Sequence, residues 1–193
     1  ECLAVVTGPR GVGKTTCLRL LLSHLDETKF DIAFVTNPDL CFQELMREII
    51  AQLKGTECLE IRNERLLEEF SKQVFKAWEE KRKTVIFIDD AHLIKPGALD
   101  RLSLLTGMQD GAQNLFTIIL AGQPELGRCL ENPKRDNLFQ RIGVYSRIEG
   151  IDSRPTMTDY IEHRLDRAGL SGQTIFSAEA YDAIWEHSGR GIP

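Results

Sequence analysis

Residues 8–15 read Gly8-Pro9-Arg10-Gly11-Val12-Gly13-Lys14-Thr15, which matches the pattern G-x-x-x-x-G-K-[ST] at every fixed position. The apolar run Leu3–Thr7 before it reads as a buried parallel strand. The run Thr15–Leu25 after it reads as a helix that is apolar nearly all round, as a helix packed against a sheet would be. Glycine permits a tight loop, and a helix N-terminus attracts anions. This order predicts a phosphate-binding loop rather than a chance match in a glycine-containing turn.

The rest of the first 150 residues alternates between strand and helix patterns. Further strands are expected at Ile32–Thr36, Val85–Ile88, Thr117–Ala121 and Val144–Ile148. Helical faces are expected at Phe42, Leu45, Met46, Ile49, Ile50 and Leu53, and at Leu67, Phe70, Val74 and Trp78. Strands separated by helices predict an α/β fold with a mainly parallel sheet of five strands.

The pattern changes near residue 150. Two helical stretches follow without strands, and Ser177 is a candidate N-cap for the second. The sequence therefore predicts two domains, an α/β core over residues 1–150 and a small helical appendage over residues 151–193, with the boundary at Ile151–Pro155.

A second motif ends the third predicted strand: Val85-Ile86-Phe87-Ile88-Asp89-Asp90. Adjacent carboxylates repel each other and favour solvent, so a purely structural origin would be a solvated strand end. Because a phosphate loop precedes it in the sequence, this pair of carboxylates fits the site of an NTPase better than a solvated strand end. Asp89 is expected to hold Mg²⁺ through water, together with the Thr15 hydroxyl, and Asp90 to orient and deprotonate the attacking water. Lys14 is expected to be exposed in a crevice and to reach the β- and γ-phosphates.

The amino-acid composition limits the other classes of protein to which the chain could belong. Lys and Arg total 24 against 29 Asp and Glu, a net charge of −5 that disfavours a general nucleic-acid binder. No apolar run approaches the roughly 18 residues of a membrane helix, and no basic leader segment is visible. The five cysteines form no CxxC pair, so reduced thiols in a cytoplasmic protein are expected, at the inner face of the membrane if other segments attach it there.

Two short stretches suggest other NTPases. Asp89-Asp90-Ala91-His92 and Gln140-Arg141-Ile142-Gly143 are reminiscent of helicase motifs, but such helicases need two domains of this kind. Leu170-Ser171-Gly172-Gln173 is reminiscent of the ABC transporter signature, but it follows the Asp89 strand instead of preceding it. We interpret it as a turn between two helices.

Along almost its whole length the chain resembles the AAA+ ATPases of the ExeA/GspA (general secretion pathway protein A) type, which are related to the transposition ATPases MuB and TniB. The likeness is carried by GPRGVGKTT, NPDL, VIFIDDAH, IILAGQPEL, LFQRI, DYIEHRLDRAGL and HSGRGIP. It implies a P-loop NTPase sandwich, a helical lid over residues 151–193, and a fourth strand inserted between those ending at Thr7 and Asp89. The nucleotide would contact Gly8, Pro9, Arg10, Gly11, Val12, Gly13, Lys14, Thr15 and Thr16.

The resemblance also implies two catalytic residues outside the nucleotide motifs. Gln123 would be the sensor-1 residue beside the γ-phosphate, with a helix-capping amide as the structural alternative. Arg141 would be the arginine finger of a neighbouring subunit in a ring, with an intrachain arginine as the alternative and Arg135 and Arg147 as rivals. Sensor 2 is unassigned, because Arg190 stands near its place but not at it.

One departure affects the expected rate. The family usually has Asp-Glu where this chain has Asp89-Asp90, so the catalytic carboxylate is one methylene shorter. The resulting hypothesis is Mg²⁺-dependent hydrolysis of ATP to ADP in the assembly of a secretion machine, with a secretion-machinery protein as partner. The alternatives are a transposition or DNA-targeting ATPase and a slowly hydrolysing nucleotide-dependent binding switch.

Overall fold

The computed structural model describes residues 3–107, 109–110, 113–170 and 175–188. Contacts between Cα atoms divide the chain into two compact units. The first joins residues 1–7 to residues 14–147, and the second joins residues 8–13 to residues 148–193. The domain boundary expected near residue 150 stays a prediction.

The first unit alternates strands with helices. Its strands are β1 (Leu3–Thr7), β2 (Phe30–Val35), β3 (Lys83–Ile88), β4 (Gln109–Asp110), β5 (Gln113–Asn114), β6 (Phe116–Gly122) and β7 (Ile142–Arg147). Its α-helices are α1 (Lys14–His24), α2 (Phe42–Lys54), α3 (Asn63–Glu79), α4 (Pro96–Leu105), α5 (Pro124–Leu130) and α6 (Asp136–Phe139). Short 3₁₀ helices cover Ala91–Leu93 and Pro133–Arg135.

Five of the described strands form one parallel sheet in the order β2-β3-β6-β1-β7. Strand β6 lies between β1, where Val5 is opposite Leu120, and β3, where Ile86 is opposite Ile118. This order confirms the α/β fold, the five-stranded parallel sheet and the inserted fourth strand. Because parallel strands end at a common edge, the residues that follow β3 and β6 lie at the same carboxyl edge of the sheet.

The sheet carries apolar side chains on both faces because neighbouring residues of a strand point to opposite sides. Ile86 and Ile88 belong to the larger apolar cluster, which also takes in helices α2 to α6. Val85 and Phe87 belong to a second cluster with Leu18 of α1. The first unit is thus a three-layer sandwich, with the sheet between α1 on one side and the other helices on the other.

Helices α2 and α3 bury one face each. Helix α2 buries the residues that its spacing predicts, Phe42, Leu45, Met46, Ile49 and Ile50. Helix α3 buries Leu66, Phe70, Val74 and Ala77. The predicted stripe of α3 is confirmed, since Leu67 and Trp78 are partly buried against the same core as Phe70 and Val74. Each fully buried large apolar side chain contributes about 1.5–3 kcal/mol.

Helix α1 buries less than its composition suggests. Only Lys14 and Leu18 are buried, while Leu20 and Leu21 are 59% and 43% exposed. The expected packing of this helix against the sheet is confirmed, since Leu18 belongs to the cluster formed with Val85 and Phe87. A helix on one face of a sheet buries a single stripe, and here the stripe follows Leu18 and the partly buried Leu22.

The second unit contains α7 (Arg154–Arg167) and α8 (Ala178–His187), both begun by serine N-caps. Ser153 accepts from the Thr156 N–H, and Ser177 accepts from the Ala180 N–H, so the predicted cap at Ser177 is confirmed. Arg154 forms an ion pair with Asp182 that joins the two helices. The predicted turn at Ser171–Gln173, and Arg190, lie outside the described residues. No described helix is both long and apolar enough to cross a membrane.

Candidate functional site

A hydroxyl and a carboxylate form the best-defined contact at the carboxyl edge of the sheet. Thr15, the second residue of α1, donates its Oγ1 hydrogen to Asp89 Oδ2 at 2.6 Å. Asp89 directly follows β3, and its backbone N–H donates to the Val35 carbonyl at 2.9 Å. Its side chain is buried, with 4% of the residue exposed. The end of β3 therefore holds a buried carboxylate against the first turn of α1.

Lys14 lies at the start of α1 and is buried, with only 7% of its surface exposed. The expectation of an exposed lysine in a crevice is wrong, because the first turn of α1 packs closely onto the structure around it. Burial lowers the pKa of the Lys14 ammonium below its ordinary value, and the negative charges of Asp90 and Asp89 oppose this shift. The charged form of a poorly hydrated ammonium is strongly stabilised by an additional anion nearby.

Asp90 adopts a backbone conformation that is uncommon for a residue other than glycine. Its φ of 47° and ψ of 34° lie in the left-handed region, where Asp and Asn are enriched among non-glycine residues. Its N–H donates to Asp89 Oδ1 at 2.9 Å, and its side chain is 52% exposed. The two adjacent carboxylates thus differ sharply, since Asp89 is buried and bonded while Asp90 is open to solvent.

Gln123 occupies the N-cap position of α5, but its side chain makes no capping hydrogen bond. Its amide nitrogen lies 2.8 Å from Nε2 of His92 instead. The capping alternative therefore does not describe this side chain. Its role as a sensor of the γ-phosphate stays a prediction.

His92 is the residue that the sequence argument used only in a comparison with helicases. It lies in the 3₁₀ helix after Asp90, its side chain is 11% exposed, and its Nδ1 is 3.9 Å from Asp90 Oδ1. A signal was present in the sequence, because a histidine four residues after a buried strand must lie near that strand's carboxyl end.

The candidate arginines differ in what holds them. Arg141 donates through Nη1 to the carbonyl of Thr106, the C-cap residue of α4. Arg135 is largely buried, donates through Nε to Asp100 at 2.6 Å, and bonds the Cys129 carbonyl. Arg147 is the last residue of β7. Arg141 is thus bonded within its own chain, and its action on a neighbouring subunit stays a prediction.

The glycine loop, residues 8–13, belongs to the second unit. Gly11 and Gly13 have φ values of 83° and 90°, which favour glycine, and a Cβ atom on Gly8 would collide with the Ile148 carbonyl oxygen. Pro9, Arg10 and Gly11 are exposed, as is Thr16 in α1. Gly8 and Gly13 are the two glycines that the motif fixes, and Gly11 supplies a further left-handed position within the loop.

The paired oxygens of Thr15 and Asp89 fit a magnesium ion in their chemistry. Mg²⁺ prefers oxygen ligands and is usually bound by one or two protein groups together with substrate phosphates. The two oxygens are already within hydrogen-bond distance, so both could contact one ion or its water shell. Lys14 is the residue directly before Thr15, and its ammonium could supply the positive charge that faces the phosphates.

Comparisons with known proteins agree with this fold. A model of the AAA domain family matches residues 2–130, about two thirds of the chain. The chain is 31% identical over 189 residues to general secretion pathway protein A of Aeromonas hydrophila, covering 98% of this chain and 34% of the relative. It thus spans about a third of the length of this curated relative.

Solved structures show the same architecture at low sequence identity. Cdc6p from Pyrobaculum aerophilum has a TM-score of 0.70 at 19% identity, over 94% of this chain and 47% of that one. The ORC2 protein of Aeropyrum pernix, in ADPNP–ADP complexes, has a TM-score of 0.63 at 16% identity, over 86% and 46%. A RuvB mutant from Thermotoga maritima has a TM-score of 0.59 at 18% identity, over 100% and 50%.

These likenesses confirm the fold, and the 31% identity confirms the resemblance to the general secretion pathway protein A type. The family match extends from the first strand through α5 and so includes the glycine loop, Lys14, Asp89 and Gln123. With the sheet order and this match taken together, the chain belongs to the AAA domain family of P-loop NTPases.

Proposed function

We propose that this protein binds ATP with Mg²⁺ and hydrolyses it to ADP and phosphate. The observation that carries the proposal is the contact between Thr15 and Asp89, beside a buried Lys14, at the carboxyl edge of a P-loop sheet. Hydroxyl, carboxylate and ammonium are the three groups that a nucleoside triphosphate and its metal require.

Each group has a separate task in this proposal. The glycine loop and Thr16 would contact the phosphates through the backbone, and the Lys14 ammonium would meet the β- and γ-phosphate oxygens. Thr15 and Asp89 would hold Mg²⁺, which would neutralise phosphate charge. Burial of Lys14 strengthens its attraction to the phosphates, because an ion pair is screened less in a poorly hydrated place.

Hydrolysis needs a group that handles the attacking water. The oxygen of that water attacks the γ-phosphorus, the bond from the γ-phosphorus to the bridging oxygen breaks, and ADP leaves with the electron pair of that bond. Asp90 is exposed enough to contact the water and to accept its proton. Gln123 would contact the γ-phosphate or the water from the tip of β6.

Adenine is the preferred base in this proposal. The chain lacks the Asn-Lys-x-Asp motif that recognises guanine, and the structurally similar ORC2 protein of Aeropyrum pernix was solved in ADPNP–ADP complexes. The helical stretch over residues 151–193 would act as the lid.

The proposed biological role follows from the relative with 31% identity, which is named for the general secretion pathway. Hydrolysis would drive a conformational change in the assembly of a secretion machine, with a protein of that machine as partner. Subunits would associate in a ring, and Arg141 would reach the nucleotide of the neighbour.

A nucleotide-dependent switch that hydrolyses slowly is the second candidate. The short side chain of Asp90 favours it, because this carboxylate reaches one methylene less far than the usual glutamate. A DNA-targeting role would be indicated instead by DNA binding that weakens steeply with salt.

Equilibrium ATP binding with and without Mg²⁺ tests the proposed site. Lys14→Met keeps most of the apolar stem of the buried side chain and removes only its charge, so we expect a folded protein that has lost ATP affinity by about 100-fold or more. Lys72→Met, on the exposed side of α3, is the matched control and should bind like the wild type. Unchanged ATP affinity in folded Lys14→Met protein would overturn the assignment.

A further inference from the structure

His92 is held at the tip of β6 by the fold around it. The turn that carries it is closed by hydrogen bonds from the Leu93 N–H to the Asp90 carbonyl at 2.8 Å and from the Ile94 N–H to the Ala91 carbonyl at 3.2 Å. A Cβ atom on Gly122 would lie 3.0 Å from the His92 backbone nitrogen. Only a glycine leaves this approach unstrained, so the end of β6 and the turn after β3 are in direct contact.

The imidazole lies between two side chains that the proposed reaction uses. Nε2 of His92 is 2.8 Å from the Gln123 amide nitrogen, and Nδ1 is 3.4 Å from the Gln123 backbone nitrogen. On the other side Nδ1 is 3.9 Å from Asp90 Oδ1. Asp90 and Gln123 do not need to touch each other, because the ring of His92 spans the distance between them.

The hydrogen-bonding rules of a neutral imidazole couple these contacts. The Gln123 backbone N–H donates to Nδ1, so in the neutral ring Nδ1 is the acceptor and Nε2 carries the proton. Nε2 then donates to the Gln123 side-chain oxygen, because the amide can turn its oxygen toward the ring. This arrangement leaves the Gln123 NH₂ group free.

We propose that His92 is a positioning residue of the hydrolytic site, which holds Gln123 beside Asp90 and sets which atom of the Gln123 amide is free to meet substrate. The inference rests on the proposed function and deepens it, because it places the base and the sensor against one imidazole ring. His92 itself contacts neither phosphate nor water in this account.

A matched pair of substitutions separates this role from simple packing. Gln at position 92 places an amide near the position of Nε2 and can still bond Gln123, whereas Asn offers the same chemistry one methylene shorter and cannot reach it. We expect His92→Asn to lower kcat about 10- to 100-fold, as a misplaced catalytic group does, with ATP affinity within about twofold. His92→Gln should recover most of this loss, and His163→Asn, an exposed histidine of α7, should have no effect.

Non-additivity gives a second readout that a packing role would not produce. Because His92 acts through Gln123, the double variant His92→Asn with Gln123→Ala should be no slower than Gln123→Ala alone. Losses that multiply, equal rates for His92→Asn and wild type, or equal losses for the Asn and Gln substitutions would each overturn the proposal.

A spectroscopic measurement on the wild type needs no hydrolytic activity. The ring nitrogens of His92, assigned by their loss in His92→Asn, should show the proton on Nε2 and an unprotonated Nδ1 in the nitrogen–proton NMR spectrum at mildly alkaline pH. A proton on Nδ1, or rapid exchange between the two tautomers, would contradict the contact. If the wild type neither binds nor hydrolyses ATP, the proposed function fails; if it does both and the His92 variants match it, only this inference fails.

Discussion

Asp89 and Asp90 are neighbours in sequence, but their surroundings prepare them for different tasks. Asp89 is buried and accepts the Thr15 hydroxyl at 2.6 Å, whereas the Asp90 side chain is half exposed on a left-handed backbone. We therefore expect Asp89→Asn to lose the Mg²⁺-dependence of ATP binding, and Asp90→Asn to keep ATP affinity within about threefold, a change below about 0.7 kcal/mol. Titrations of ATP with Mg²⁺ and with a chelator measure both. Equal Mg²⁺-dependence in the two variants would contradict the division.

The backbone conformation at Asp90 also affects whether an aspartate or the longer glutamate suits this position. Asp and Asn tolerate the left-handed region better than Glu does, so this turn suits an aspartate. In Asp90→Glu the carboxylate reaches one methylene further, but the left-handed backbone is more strained. Because these two effects oppose each other, we expect a hydrolysis rate within about threefold of wild type. The hydrolysis rate under saturating ATP decides this. A gain well beyond tenfold would show that the missing methylene alone limits the wild type.

At the scale of elements, contact between the tip of β6 and the turn after β3 depends on Gly122. A Cβ atom there would lie 3.0 Å from both the His92 nitrogen and Leu126 Cδ2. We expect Gly122→Ala to lower the free energy of unfolding by about 1–3 kcal/mol through overpacking and to lower kcat by displacing Gln123. Urea unfolding and steady-state hydrolysis measure the two effects. Gly97→Ala, where a Cβ meets nothing within 4 Å, is the control.

Helix α2 begins with a capping box that should respond to pH. Glu44 accepts from the Cys41 N–H at 2.8 Å, and this bond holds the pKa of Glu44 below its ordinary value. A carboxyl with a lowered folded-state pKa adds stability above its unfolded pKa and loses it as pH falls through the folded one. Wild type should therefore exceed Glu44→Gln in urea midpoint at pH 7, and the difference should shrink toward pH 3. A difference that is independent of pH, or that the exposed Glu57→Gln reproduces, would contradict this.

The elements with the longest apolar patterns are the ones that sequence reasoning predicts well. Strands β1, β3 and β6 are runs of buried apolar residues, and the face of α2 repeats at helical spacing over three turns. The sequence analysis does not predict helix α4, although Ala98, Leu99, Leu102 and Leu105 also recur at helical spacing. Its ten residues begin with Pro96-Gly97, two residues that disfavour a helix interior, in a stretch without a strand pattern. The two-residue strands β4 and β5 are too short to carry any periodicity.

At the scale of the whole molecule, the site combines residues that are far apart in the sequence. The motifs predict Lys14, Thr15, Asp89 and Asp90 because their chemistry is tied to fixed spacing. His92 and Gln123 are 31 residues apart, and only the placement of β6 beside β3 brings them together. The burial of Lys14 and the bond from Arg141 to Thr106 likewise depend on packing that no local pattern records.

Self-association is the whole-molecule prediction. Arg141 must leave the Thr106 carbonyl to serve a neighbour, and an arginine finger is worth about 10³–10⁵ in rate. We expect activity per chain to rise with protein concentration, and Arg141→Ala to bind ATP normally yet hydrolyse poorly. Mixing it with Lys14→Met should restore activity, because the lysine variant lends its Arg141 to the intact pocket of the other. Arg128→Ala, at an exposed surface ion pair, is the control.

Concentration-independent activity, with no recovery on mixing, would make Arg141 a structural residue that bonds the C-cap carbonyl of α4, and the protein a monomeric switch.

Single-turnover release of γ-phosphate tests the central claim most directly. Enzyme in excess over ATP, with Mg²⁺, is compared between the wild type and Asp90→Asn, and bound nucleotide is measured in the same samples. The account predicts that both proteins bind ATP, that the wild type converts it to ADP and phosphate, and that Asp90→Asn retains uncleaved ATP. Hydrolysis by Asp90→Asn at the wild-type rate, or no hydrolysis by the wild type at ring-forming concentrations, would contradict it.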